Sequence, residues 1–191
     1  MNKWIMAGTA AAFTGAAAFA RSEYELTHLD IVHYDIKTDK LGLEWNGFKA
    51  VFLSDLHDNS FGMENEELLA AIEKEQPDIV VIGGDMLVVK EWAAPHFDML
   101  ANLYKKLVKR YPVYYAFGNH EQRMKEEPLT YPSWWQSYWK VLKDSGMHVL
   151  VNKSEEIIKN GTAMRISGIT LPRECYRKGR IPSLSAGYID K

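Results

Sequence analysis

Three short segments hold the side chains with the most chemistry in them. Asp55-Leu56-His57, Gly83-Gly84-Asp85 and Gly118-Asn119-His120-Glu121 each follow an apolar, β-prone run. Carboxylate, imidazole and amide groups are therefore expected on loops that leave strands. Asp55 and His57 are two residues apart, so a strand continuing through them directs both to one face, and a bend lets both reach one cation. An aspartate with a neutral imidazole suits Zn, Mn or Fe better than Ca. Two glycines before Asp85 permit close backbone approach, and its two carboxylate oxygens can bridge two ions. Asn119 adds a neutral oxygen ligand, and His120 is expected beside the metals with Glu121 holding its ring orientation.

The elements that must position these loops follow from pattern. Leu29–Ile36 shows a broken alternation, and Gly47–Leu53 is an apolar run; both read as strands. Asn65 can cap a helix bearing Leu68, Leu69 and Ile72 that stops before Pro77. A strand at Asp78–Ile82 is followed by a helix over about Pro95–Arg110, with Phe97, Leu100, Leu103, Tyr104 and Leu107 at helical spacing, and then by a strand at Val113–Phe117. Strands alternating with helices imply parallel pairing, and the loops at the carboxyl ends then share one rim, where open α/β sheets bind ligands. Further on, Trp134, Trp135, Tyr138, Trp139 and Leu142 predict an aromatic helix that faces a core and ends near Gly146. A strand series follows at Val149–Val151, Glu156–Ile158 and Ala163–Ser167, with Asn160-Gly161 as a hairpin turn.

The 191 residues, 47% hydrophobic and 25% charged, fit one α/β domain. A net charge of -2 with no basic run argues against a nucleic-acid partner. Cys175 is the single cysteine and carries neither a disulfide nor a zinc motif. Lys3 precedes an uncharged stretch, Trp4–Ala20, that ends in Ala18-Phe19-Ala20, so residues 1–21 are expected to be a signal peptide or a membrane anchor and 22–191 the folded domain. His28, His33 and His96 have no comparable setting and read as surface or packing residues.

The ordered set Asp-x-His, Gly-Asp, Gly-Asn-His-Glu resembles the calcineurin-like metallophosphoesterase family. Ser54–Asp58, Phe61–Asn65 and the hydrophobic leader resemble its membrane-associated bacterial branch. The resemblance implies an α/β fold, a β-sandwich flanked by helices in four αββα layers. It also implies two divalent metal ions (Mn, Zn or Fe) held by Asp55, His57, Asp85 and Asn119, with Asp85 shared. His120 would be the catalytic group at the leaving oxygen of a phosphate ester, and the metals would activate the attacking water.

The family's full site also takes a histidine from a middle loop and two from a closing Gly-His-x-His, whereas after Glu121 this sequence holds only His148, at a turn entering a strand. The C-terminal part of the family fold is therefore expected to be missing. Two function classes follow: a metal-dependent phosphoesterase that is incomplete in this chain, or a non-catalytic, membrane-associated remnant or binding module of the same fold. The substrate class stays open among nucleotides, phospholipids, sugar phosphates and phosphoproteins. Fractionation of cells making the full chain should place it in the membrane or exported fraction; a soluble cytoplasmic protein retaining Met1 and Trp4 would overturn the reading of the leader.

Overall fold

In the computed structural model, residues 15–176 are described, apart from 23, 25, 26 and 132. The expected leader therefore lies largely outside the described residues. Residues 15–22 are helical and exposed, and among the described residues no helix is long and apolar enough to cross a membrane.

Four short strands build a parallel sheet in the order β1-β2-β3-β4: β1 at Ala50–Leu53, β2 at Ile79–Ile82, β3 at Val113–Tyr115 and β4 at His148–Val149. Between them run α1 (Glu66–Glu75), α2 (Phe97–Val108), α3 (Asn119–Glu126) and α4 (Trp134–Ser145). The alternation of side chains along each strand separates two cores. Val80, Ile82, Val113 and Tyr115 face the helices and pack with Leu68, Ile72, Leu100, Leu103, Leu107, Tyr138 and Leu142. Ile79 and Tyr114 face the other way and meet Leu150 and the partly buried Phe48, Ile157 and Ile166. The last two come from an antiparallel hairpin, β5 (Lys153–Lys159) and β6 (Thr162–Gly168). The architecture is thus helices on one face of a parallel sheet and a second β layer on the other, an α/β fold as expected, with three of the four αββα layers seen among the described residues.

Local sequence explains most element boundaries. Leu100, Leu103, Tyr104 and Leu107 recur at i, i+3, i+4 and i+7 and are all fully buried on α2; truncating one such leucine typically costs about 2–5 kcal/mol. α1 stops at Gln76, in the left-handed region just before Pro77, and α4 stops at Gly146, with φ +83°. Asn160 and Gly161 both have positive φ, as a two-residue hairpin turn demands. On α4, Tyr138 and Leu142 are buried, while Trp134, Trp135 and Trp139 pack half-buried against the same core.

Two expectations fail for stated reasons. Residues 29–36 form no strand: the segment is mostly exposed, and among the described residues no strand pairs with it. Its alternation reflected only composition, because a strand needs an edge to join. Asn65 sits at the start of α1 but does not cap it; it adopts a left-handed conformation and its Oδ1 accepts the Phe61 N–H at 3.1 Å. The helix α3 has no apolar periodicity to announce it, because residues 119–126 are polar along most of their length and its first turn is held by Glu121 and Gly118.

The ends of β2 and β3 approach so closely that only glycine fits between them. A Cβ on Gly84, where φ is +91°, would lie 1.9 Å from Gly118 N, and one on Gly118 would lie 2.4 Å from the Asp85 carboxyl. Gly146 also has positive φ, but its Cβ position is open. Gly84→Ala should therefore lower stability by about 3 kcal/mol, from backbone strain plus overpacking, whereas Gly146→Ala should cost about 1 kcal/mol. Urea midpoints of the two variants check the ordering, and equal losses would show that the strand ends can part without cost.

Candidate metal centre

The carboxyl ends of β1, β2 and β3 continue as loops whose backbones remain in register. Gly83 N–H donates to Leu53 O (2.7 Å), Asp55 N–H to Gly84 O, His57 N–H to Asp85 O and Asp58 N–H to Met86 O (each 3.1 Å). The ladder of β1 and β2 is thereby extended past the strands, although the residues are no longer extended. Asp55, His57, Asp58 and Asp85 all have φ between 52° and 60°. Aspartate and histidine enter this region more readily than most residues, yet each such residue costs roughly 1–3 kcal/mol and persists only where its surroundings over-determine it.

The bonds to successive carbonyls over-determine Asp55, His57 and Asp58, and Asp85 is over-determined by Glu121. This carboxylate is fully buried. Its Oε2 accepts the N–H groups of Asp85 and Gly118, both at 3.0 Å, and its Oε1 accepts Met86 N–H at 3.3 Å and the Tyr115 hydroxyl at 2.7 Å. Burial pushes its pKa up, and the hydrogen bonds from Tyr115 and the backbone pull it back. The bond from Gly118 also closes the first turn of α3. Glu121 therefore does not hold the ring of His120, as the sequence suggested; it turns inward and pins the loops after β2 and β3 to each other.

From that frame the reactive groups project outward. His57, Asp85 and His120 bring donor atoms within 4.8 Å of one another, and the two imidazoles meet edge to face at 5.3 Å. Asp55 stands beside them, its Oδ1 3.7 Å from His57 Nε2 and its Oδ2 accepting the Ser54 hydroxyl at 2.6 Å. Asp85 Oδ1 accepts His120 N–H at 2.7 Å, while the Asn119 amide lies 2.9 Å from Asp85 Oδ2, its nitrogen donating to that oxygen. All four sequence-predicted ligands and His120 thus stand on one rim.

The donor set fits a divalent cation. Turning the Asn119 amide over would put its oxygen 2.9 Å from Asp85 Oδ2, the spacing of neighbouring ligands on one ion with metal–oxygen bonds of about 2.1 Å. His120 differs from the others. Its Nδ1 lies 3.1 Å from Val89 N–H, which can only donate, so the neutral ring carries its proton on Nε2 and offers the site an N–H rather than a lone pair. Burial, together with Arg123 and His57, holds its pKa below the usual histidine value against the opposing pull of Asp85.

Other histidines lie elsewhere. His148, at the start of β4, binds Glu155 at 2.6 Å and stacks on Tyr114, its partner in register, on the face of the sheet turned away from the helices. His33 pairs with Glu75 and His96 is exposed. His28 is exposed, as expected of a surface or packing residue, and with Leu29 and Asp30 it lines a cleft of about 600 Å³ that also includes Asp55 and His57. Val89, which helps build the rim through its backbone, carried no sequence signal: a backbone N–H donor is not encoded by residue type.

Replacing Glu121 by Gln leaves a carboxamide NH₂ where two backbone or hydroxyl donors need an acceptor. Glu121→Gln should cost about 2–4 kcal/mol of stability, at roughly 1–3 kcal/mol per orphaned buried group. It should also weaken divalent-metal binding by about 10- to 100-fold, as loss of an outer support commonly does. Urea unfolding and Mn²⁺ titration of the same variant measure both; unchanged affinity would show that Asp85 does not depend on this clamp.

Comparison with known proteins agrees with the geometry. The chain is 32% identical over 117 residues to the uncharacterized metallophosphoesterase YkoQ of Bacillus subtilis (strain 168), an alignment covering 61% of this chain and 41% of that protein. The chain therefore spans less than half the length of that relative. The calcineurin-like phosphoesterase family model matches residues 48–184, a stretch that includes all three loops of the rim. On these grounds the chain belongs to the calcineurin-like phosphoesterases.

Proposed function

We propose that this protein is a metal-dependent hydrolase of phosphate esters, in which Asp55, His57 and Asp85 hold one divalent ion and Asp85 with Asn119 a second. The convergence of His57, Asp85 and His120 within 4.8 Å is the observation that carries this reading, and family membership supports it. Bound there, Mn, Zn or Fe ions would supply Lewis acidity for a water and for the phosphoryl oxygens.

The chain's own residues do the rest. Asp85 is held at its backbone by Glu121 and at its side chain by His120 N–H and Asn119, so its oxygens are oriented before a cation arrives. His120 presents Nε2–H, suited to donate to the leaving oxygen. The cleft beside Asp55, with Phe61 and Leu68 on one wall and His28 and Asp30 among its polar groups, receives the organic part of the ester. Among the described residues these donors would give one ion three protein ligands and the other two, with Asp85 shared. The hydrophobic stretch ahead of the domain supports a body tethered to, or exported across, the membrane.

The test is direct. Full chain stripped of metal and resupplied with Mn²⁺ should hydrolyse an aryl phosphodiester or phosphomonoester in a metal-dependent way. Asp85→Asn should lower that rate by well over the roughly 10- to 100-fold typical of a lost outer contact, and His120→Ala should lower turnover while leaving Mn²⁺ affinity in place. Mn²⁺ binding with no turnover in the unmodified chain would favour a non-catalytic metal-binding module. Failure to bind Mn²⁺ or Zn²⁺ at all would sink the site.

A further inference from the structure

We propose that Arg123 is a positioning residue for His120, acting through the backbone of Val89. The proposal rests on the assignment of His120 as the proton-donating group of the site.

His120 and Arg123 are one turn apart on α3, so their side chains leave the same face of the helix. Both reach the same residue of the loop after β2. His120 Nδ1 takes the N–H of Val89 at 3.1 Å, and Arg123 Nη2 donates to the Val89 carbonyl. Val89 is buried, so both of its backbone groups are satisfied inside the protein by side chains of a single helix. The guanidinium is fixed in turn: its carbon sits 5.8 Å from the ring centre of the buried Tyr131. Its Nε is buried without a hydrogen-bond partner. A buried N–H left unpaired is unfavourable, so the position of Arg123 is set by what Nη2 and the ring face reach and not by satisfaction of the whole group.

The location of Val89 gives this arrangement its consequence. On its amino side the loop is stitched down: Met86 N–H to Glu121 and Val88 N–H to Asp58 Oδ2. On its carboxyl side the chain runs out to a tip, closed by a bridge between Lys90 and Ala93, on which Trp92 is 83% exposed. It is stitched again where His96 N–H meets Asp58 Oδ1. Arg123 grips the carbonyl where the fixed part ends and the tip begins. Without it, rotation about Val89 could pass from the tip to the N–H that faces His120. An imidazole whose Nδ1 loses that donor is free to take its proton on either nitrogen, and in the Nδ1–H form Nε2 offers the site a lone pair in place of a hydrogen.

The experiment reads the tautomer itself. Long-range ¹H–¹⁵N spectra of the full chain, with ¹⁵N-labelled histidine, report which ring nitrogen of His120 is protonated, and a coupling across the hydrogen bond reports the Val89 N–H to Nδ1 contact. In the wild type His120 should be the Nε2–H tautomer with that coupling present. Arg123→Met, which keeps the stem and removes the donor, should shift the His120 nitrogens toward a mixture of tautomers and lose the coupling. Arg123→Lys, able to donate to the same carbonyl, should restore both. A merely structural arginine would change thermal stability without changing the tautomer, so an unaltered His120 spectrum in Arg123→Met overturns the proposal, as does an Nδ1–H ring in the wild type. If Arg123→Met does not fold, the Arg123→Lys and wild-type spectra still decide it: Arg123→Lys should match the wild type, and a different tautomer there would overturn it. Mn²⁺ titration of the same samples separates the two ideas, since failure to bind metal with an Arg123-dependent tautomer removes the enzymatic reading and leaves the relay intact.

Discussion

A carboxylate with no access to water sits where the ends of β2 and β3 meet, and the site depends on it. Glu121 accepts two backbone N–H groups from the β2 loop, one from the β3 loop and a hydroxyl from β3 itself. Burying a charge is costly unless it is fully hydrogen-bonded, and here four donors surround two oxygens. Each donor would itself be orphaned if the carboxylate left. The contact is therefore as much a requirement of the loops as of the glutamate, and it forces the loops bearing Asp85 and Asn119 to stand side by side.

The clamp is tied to the helical layer through hydroxyl groups. Tyr115, on the central strand β3, donates to Glu121 and shares a 2.7 Å hydrogen bond with Tyr138 of α4, which meets Tyr104 of α2 at 2.8 Å. All three rings are fully buried, and burial pushes their hydroxyls well above the ordinary tyrosine range. A polar chain of this kind inside an apolar core is stable only when each member is satisfied. It joins strand, two helices and rim into one unit, so that the packing of α2 and α4 also fixes where Asp85 points.

That rigidity explains how the rim sustains its backbone strain. Four non-glycine residues in the left-handed region lie within two adjacent loops, and every one belongs to the site or supports it. The N–H groups of Asp55, His57 and Asp58 are taken by successive carbonyls of the β2 loop, which leaves little freedom to relax. The side chains that result are oriented by covalent geometry and hydrogen bonds rather than by a ligand, so that the Asn119 amide is the group that would turn for a cation to be held there.

Composition and pattern were enough to determine the alternating strands and helices, the parallel sheet, the hairpin at Asn160-Gly161 and the gathering of Asp55, His57, Asp85, Asn119 and His120 on one rim. These follow from periodicities and turn chemistry that act over a few residues, and from the rule that loops at the carboxyl ends of parallel strands share a side. Sequence could not decide what depends on a partner distant along the chain. The segment 29–36 alternates as a strand does, yet among the described residues it pairs with no strand. Glu121 is adjacent to His120 in sequence, but the four donors that claim it come from elsewhere and turn it inward. The tautomer of His120 rests on the N–H of Val89, a group every non-proline residue carries, so only the tertiary placement of that loop, with Arg123 against its carbonyl, makes it specific.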